Sequence, residues 1–329
     1  MRIEASGLEF KTGTRTETCY FTGGLLAHPL TDGHLLLAPV GRTDAGLTGH
    51  RMMWPQVLDI TSRCGCEMLG VNQAHDTGSP ERSEVWRPDV PPSPQQLHAA
   101  DSWGVLANVS RSMGDLVFSD IARSVSVCIH AAGVRVRDLA NAHHEQLRWA
   151  LMAGKKPGAA FSNLAVTDLH LAFHSLAGEL CSARDHLAHI AAIGCGAKES
   201  IDSLAWLERW VAKPVNAASA QHPLVALLMT QMGTVASPGW LRVLGEFRNT
   251  VMHRRPMGAD PARGALAISV SPTPIGPVST VRLVPLDGTP PGPDPFTELA
   301  LLYKQFEALA LYATTLAPFP VELPVVEVK

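Results

Sequence analysis

The strongest periodic pattern in the chain lies between Thr167 and Ile190, where Leu169, Phe173, Leu176, Leu180, Ala183, Leu187 and Ile190 recur at steps of four and three. That spacing puts all seven on one helical face, and so continuous a stripe can be buried only against other helices. Thr167 reads as the N-cap, Asp168 favours the positive helix end, and Gly194 with Gly196 supplies the stop. A second helix is expected over 199–211, with Ile201, Leu204, Leu207 and Val211 on one face, and a third from Pro223 to about Met232. A fourth starts with Ser237 as N-cap and Pro238 at the first helical position. Pro256 disfavours helical geometry at Arg255, so this helix should end near His253 or Arg254. Leu299, Leu302, Phe306, Leu309, Ala313 and Leu316 mark a last long helix.

Elsewhere the period changes. MRIEASGLEF alternates, and HLLLAPV is bounded by the Asp32-Gly33 turn signal and Gly41, so the first sixty residues read as a few strands or extended segments. HDTGSPERSEVWRPDVPPSP, over 75–94, reads as a loop or linker, because Pro88, Pro91, Pro92 and Pro94 forbid a continuing helix. Between 95 and 155 helices are expected. Leu97, Val105, Leu106, Val109, Met113, Leu116, Val117 and Ile121, then Leu139, Ala142, Leu147 and Leu151, step mostly by three and four until Gly154. ALAISV and VSTVRLV, joined by SPTPIGP, read as a hairpin or two edge strands near 265–285. The expected fold is therefore mainly α. A helical bundle with a small β-hairpin insertion occupies 160–329, preceded by a helical connecting region over 95–155 and a smaller α+β region over 1–94.

Composition adds exclusions more than assignments. With 329 residues and 46% hydrophobic content, a sizeable core is expected rather than disorder. The 25 prolines and 27 glycines predict several long connections. A net charge of −3 provides no global field for polyanions, so any nucleic-acid contact must come from a local basic cluster. Six irregularly spaced cysteines suit reduced thiols, and the absence of an 18-residue apolar run argues against a membrane span. A cytoplasmic protein is the expectation.

The candidate chemistry sits in FRNTVMHRRP, from Phe247 to Pro256. Arg248 and His253, five apart, diverge by about 140° on an ideal helix and converge only where the helix end loosens, next to Pro256. Asn249 and His253, four apart, share a face. A histidine near its ordinary value can take a proton from a ribose 2′-hydroxyl, and a guanidinium can stabilise the resulting phosphorane. Arg254, Arg255 and Arg242 would add phosphate contacts without base specificity. The same cationic last turn also occurs on helices whose only role is to complement their negative ends.

WLRVLGEFRNTVMHRRP resembles the signature helix of the HEPN superfamily, an arginine, often followed by a polar residue, with a histidine four to six positions on. SARDHLAHIAA, inside the Thr167 helix, resembles the acidic residue that many such domains carry in their first long helix, here Asp185. The resemblance covers about Thr167 to Pro256. It implies an all-α bundle that dimerises, bringing two motifs into one cleft, with Arg248 and His253 as the catalytic pair, Asn249 as their companion and Asp185 in support. Many members are metal-independent endoribonucleases of toxin–antitoxin, defence or RNA-processing systems, needing no cofactor. Others are silent binding modules. RNA, a second copy of the chain and an antitoxin or regulatory protein are the partners implied.

Two rival constellations remain. His170, His174, His186 and His189 on one helix, with His143 and His144 on the preceding one, resemble the inward histidines of four-helix DinB-like metal-dependent transferases. His170 and His174 nonetheless lie off the apolar stripe, toward a flank or solvent. Cys64-x-Cys66 with His75 is at most half of a metal site. Trp206 and Trp210 read as core or interface anchors. No P-loop, Gly-x-Ser-x-Gly elbow or dinucleotide fingerprint occurs.

Overall fold

The computed structural model describes residues 3–5, 14–76, 83–88, 97–253, 264–284, 294–321 and 326–328. Its N-terminal part contains β1 (Ile3–Ala5), β2 (Thr14–Phe21), β3 (Leu26–Pro29), β4 (Leu35–Thr43), β5 (Gly46–Met52), α1 (Trp54–Arg63), β6 (Met68–Asp76) and β7 (Ser83–Pro88). Six of these strands form one antiparallel sheet in the order β5-β4-β3-β2-β6-β7. The expectation of a loop over 75–94 is corrected in part. Ser83–Pro88 is an edge strand whose Trp86 is buried edge-on against Tyr20, with ring centroids 5.4 Å apart. The prolines dominated that reading, but they fall at or beyond the end of the strand, where a missing N–H costs no ladder bond.

The rest is mainly helical: α2 (Ala99–Ser112), α3 (Leu116–Met152), β8 (Ala160–Phe161), α4 (Val166–Gly194), α5 (Leu204–Val211), α6 (Pro223–Met232), α7 (Trp240–His253), β9 (Leu266–Thr273), β10 (Gly276–Leu283), α8 (Pro295–Thr314) and β11 (Val326–Val328). Helix is the commonest state among the described residues, so the mainly α reading with an N-terminal β-containing region holds. All seven stripe residues of α4 are buried. Its start differs from the expected cap. The helix begins at Val166, and Thr167 is an exposed residue of the first turn.

Between 95 and 155 the chain forms α2 and one unbroken 37-residue helix, α3, about 55 Å long at 1.5 Å per residue. Gly114 breaks the chain between them at φ +89°, and the Asp115 carboxylate accepts the Phe118 N–H at 2.9 Å to start α3. Met113, Leu116 and Val117, part of the apolar three- and four-residue stepping, are exposed around this junction, where the chain passes from one helix to the next. α3 packs against α2, α4 and the sheet together, which joins the two halves through one continuous core. Among the described residues it is also the one helix long and apolar enough to cross a membrane, and 44% of its apolar window is buried inside the fold.

The expected β insertion is a hairpin. β9 and β10 pair from Leu266↔Leu283 to Thr273↔Gly276, and β8 adds a short third strand beside β9. Most of the SPTPIGP connector belongs to the strands, leaving Pro274 and Ile275 in the turn. Gly276, at φ +102°, takes a backbone conformation closed to most side chains, and the Thr273 hydroxyl donates to its carbonyl at 2.6 Å.

Two buried ionisable groups couple this core to pH. His143 of α3 is fully buried with its ring centroid 4.5 Å from that of Phe296, and burial pushes its imidazole down to about 3. Asp294 caps α8 and accepts the Leu283 N–H at 2.9 Å and the Thr297 N–H at 3.3 Å, while burial pushes its carboxyl up to about 6. Their contributions oppose each other. Below the unfolded value near 6.5 the unfolded chain binds the His143 proton that the folded chain refuses, so this term is lost as pH falls. The Asp294 term is full below the unfolded carboxyl value and is lost as pH rises through about 6.

Denaturant unfolding of wild type and His143→Leu at about pH 7 and about pH 5 isolates the first term. Wild type should lose about 2 kcal/mol more than the variant on acidification, the work of withholding one proton from a group with an unfolded value near 6.5. Asp294→Asn should steepen the wild-type acid loss instead. Equal acid losses in wild type and His143→Leu would contradict the assignment.

Candidate active-site cleft

α7 positions the motif residues. Gly239 accepts the N–H groups of Arg242 and Val243 and so opens the helix, two residues later than the expected Ser237 cap. Pro238 is displaced from the helix because the α6–α7 connection is a tight bridge. Gly233 pairs with Pro238, Thr234 N–H donates to Ser237 O at 2.9 Å, and Gly239 N–H donates to Met232 O at 2.8 Å. α7 is helical as far as His253, and its expected end there or at Arg254 lies at the limit of the described residues.

Leu241 and Leu244 are buried on the α7 face that packs on α4, and Arg248 continues that face at a step of four. Arg248 is half-buried and Asn249 is exposed. Opposite them, Cys181 of α4 donates its thiol to Leu244 O at 3.8 Å. Burial pushes this thiol up, opposed by the charge of Arg184 and by the hydrogen bond and charge of Arg248. Arg248 thus lies against α4 rather than extending into solvent.

Asp185 is held from three directions. Its Oδ1 accepts from Arg184 Nε at 3.0 Å and Nη2 at 2.9 Å, and from the Leu204 N–H at the start of α5 at 3.1 Å. Arg184 is 8% exposed, and its Nη1 donates to Leu241 O of α7 at 3.4 Å. It fits beneath α7 because Gly245 has no side chain: a Cβ there would stand 2.6 Å from Nη1. The sequence reading passed over Arg184. Its signal was a charged residue inside the stripe of α4, matched by a glycine inside the amphipathic α7.

Arg184, Asp185, Arg248 and Asn249 line one open cleft of about 310 Å³, together with Glu208, Arg242 and Glu246. The sequence-predicted Asp185, Arg248 and Asn249 therefore come together from helices some sixty residues apart in the chain. Arg242 also lies there, with its guanidinium already engaged. Its Nη2 donates to Glu208 Oε1 at 2.6 Å and to Gly233 O at 3.4 Å, fastening α7 to α5 and to the α6–α7 turn. A phosphate at Arg242 must compete with Glu208. The position of the His253 side chain, and Arg254 and Arg255 entirely, lie outside the described residues. The lining holds three arginines and three carboxylates, so its charges balance.

The rival sets fare differently. His170, His174, His186 and His189 are all half-buried, and His170 and His174 stand off the buried stripe of α4. His143 packs on Phe296, while the His144 ring N–H donates to Gly24 O at 2.9 Å. Among the described residues, no group of three or more His, Cys, Asp or Glu converges to hold a metal ion. Cys66 is buried, and burial pushes its thiol well above the ordinary range. Trp210 packs on the core, whereas Trp206 is half exposed and stacks under Arg209, whose guanidinium carbon is 5.1 Å from the ring centroid.

The fit of Arg184 beneath α7 predicts opposite effects of two alanines. Gly245→Ala should displace the Arg184 guanidinium and destabilise the fold by about 1–3 kcal/mol, the usual cost of overpacking. Gly178→Ala, in α4 where an added Cβ meets nothing within 4 Å, should stabilise by about 0.5–1 kcal/mol. Denaturant midpoints of the two variants check this, and a neutral Gly245→Ala would remove the constraint. No family model, curated protein or solved structure matches this chain, so the chemistry of the cleft stands on its own residues.

Proposed function

We propose that the protein is a metal-independent endoribonuclease of HEPN type, homodimeric, acting on exposed single-stranded or loop RNA. The observation that carries this reading is the meeting of Asp185 from α4 with Arg248 and Asn249 from α7 in one cleft, the three-residue combination that the HEPN resemblance implies. Arg248 is half-buried against α4, a setting in which a guanidinium keeps its charge and loses part of its freedom.

In this mechanism His253, at the end of α7, takes the 2′-hydroxyl proton as that oxygen attacks phosphorus. Arg248 stabilises the charge on the non-bridging oxygens of the phosphorane. The bond to the 5′-oxygen then breaks, the protonated histidine of the second copy supplies its proton, and a 2′,3′-cyclic phosphate remains. Asn249 orients the phosphate, while Asp185, through Arg184, fixes the wall against which Arg248 lies. Arg254 and Arg255 supply phosphate contacts without base specificity. An antitoxin or regulatory protein covering this cleft would restrain the activity.

A second reading, a catalytically silent HEPN-like binding or dimerisation module, is favoured by the ion pairing inside the cleft. Arg242 is neutralised by Glu208 and Arg184 by Asp185, which weakens the field available to an incoming phosphate. The decisive measurement is cleavage of single-stranded RNA by the purified dimer with EDTA present, comparing wild type with Arg248→Ala and His253→Ala. Each substitution should lower the rate by about 100-fold or more. Cleavage that survives both would sink the assignment, loss on adding EDTA would move it to a metal enzyme, and RNA binding without cleavage by wild type would select the silent module.

A further inference from the structure

Ala205, Trp206 and Arg209 are exposed on α5, beside the Arg248 cleft. Leu204 and Leu207 are buried, and Trp210 and Val211 pack on the core, which accounts for the inward side of this eight-residue helix. Ala205 lines the cleft together with Ser203, Leu204 and Glu208. At about 100° per residue, Arg209 stands about 40° round the helix from Ala205 and one turn along, with Trp206 beyond it. A strand leaving the cleft across the single methyl group of Ala205 therefore meets Arg209 and Trp206 next.

Single exposed apolar side chains are ordinary on protein surfaces. Trp206 is set apart by its neighbours. Half of its surface is exposed, its indole meets the Arg209 guanidinium, and the helix that carries both borders the cleft. Arg209 is itself exposed, and among the described residues its guanidinium is paired with the indole and with no carboxylate. Lys213, four positions on, is a second exposed cation. The cleft lining balances three arginines against three carboxylates, so a cation without a carboxylate partner at its edge adds what the lining does not supply. An aromatic ring beside such a cation suits a single strand, because the ring takes a base and the cation takes a phosphate. The cation–π contact of an exposed pair is weak enough for the guanidinium to exchange it for that phosphate.

We propose that Trp206 and Arg209 form a subsite for one unpaired nucleotide of an RNA strand held in the Arg248 cleft. The base stacks on the Trp206 indole, and Arg209 turns to an adjoining phosphate. No base edge is read. The subsite therefore accepts any sequence but requires a base free of its helical neighbours, which selects single strands and loops. The inference rests on the RNA reading of the cleft, and it holds alike for a cleaving enzyme and for a silent RNA-binding module.

Fluorescence anisotropy of the full chain with labelled 2′-O-methyl oligouridylate tests it, since methylation removes the attacking hydroxyl and leaves binding alone. A strand of equal length carrying abasic residues is the comparison. Wild type should bind the oligouridylate at least about fivefold more tightly than the abasic strand, the effect of one stacked base. Trp206→Ala should bind the two strands with nearly equal affinity, whereas Trp206→Phe should keep most of the preference. Trp206→Leu, which retains an apolar side chain without a ring, gives the same comparison should alanine destabilise the helix. Arg209→Ala should weaken both strands alike and reduce the slope of log affinity against log salt by about 0.7, the loss of one phosphate contact. Sedimentation checks the oligomeric state of each variant. A Trp206→Ala protein that dissociates would assign the indole to a contact between copies and overturn the proposal. An unchanged preference for bases in Trp206→Ala and Trp206→Leu would also overturn it and leave the Arg248 reading standing. Wild type that binds neither strand would overturn both. Uridine 5′-monophosphate competing as well as the strand at equal nucleotide concentration would transfer the subsite to free nucleotide and overturn its place along a strand.

Discussion

Ala122, Ala132, Gly133, Ala140 and Ala150 are buried along α3, and their small side chains let one helix lie close to a sheet on one side and to α2 and α4 on others. Two-sided burial of a helix requires small residues where backbones approach and large ones between them. Val125, Ile129, Val136, Leu139 and Leu147 fill those intervals. The β2–β3 turn shows how tight the fit is: a Cβ on Gly24 would stand 2.8 Å from His143 O, so only glycine admits α3 there. The sheet, the hairpin and the helices of the C-terminal half all take their positions from this one element.

That arrangement also sets the character of the cleft. In the α4–α5–α7 cleft, arginines and carboxylates are matched and several of them hold helices together, Arg184 across α4 and α7 and Arg242 across α5 and α7. Groups that fasten a scaffold are costly to redirect toward a ligand, because each partner left behind becomes an unpaired buried charge. Among the described residues Arg248 contacts Cys181 and Asn249 is exposed, which makes them the freer part of the cleft.

Legibility in the sequence followed the range of the interactions. The α4 stripe was readable residue by residue, because burial on one face of a long helix imposes a period that survives any detail of its neighbours. Pro223 marked a helix boundary through a local steric rule, and the α6 start fell where that rule placed it. Pro238 obeyed no such rule, because a bridge to Gly233, made by residues on either side of a turn, outcompeted its preference for the first helical position. The edge strand Ser83–Pro88 was hidden by neighbouring prolines, since its order depends on pairing with β6 rather than on its own pattern.

The sequence by itself determined the helical class, the stripe of α4, the course of α7 and the presence of Arg248, Asn249 and His253 on it, because these follow from periods and steric rules within a few residues. Only the tertiary structure decided that Asp185 shares a cleft with Arg248, that Arg242 is already paired with Glu208, and that Arg184 reaches beneath Gly245. Those facts depend on which helices lie side by side and at what distance, and a helical period carries no record of its partner.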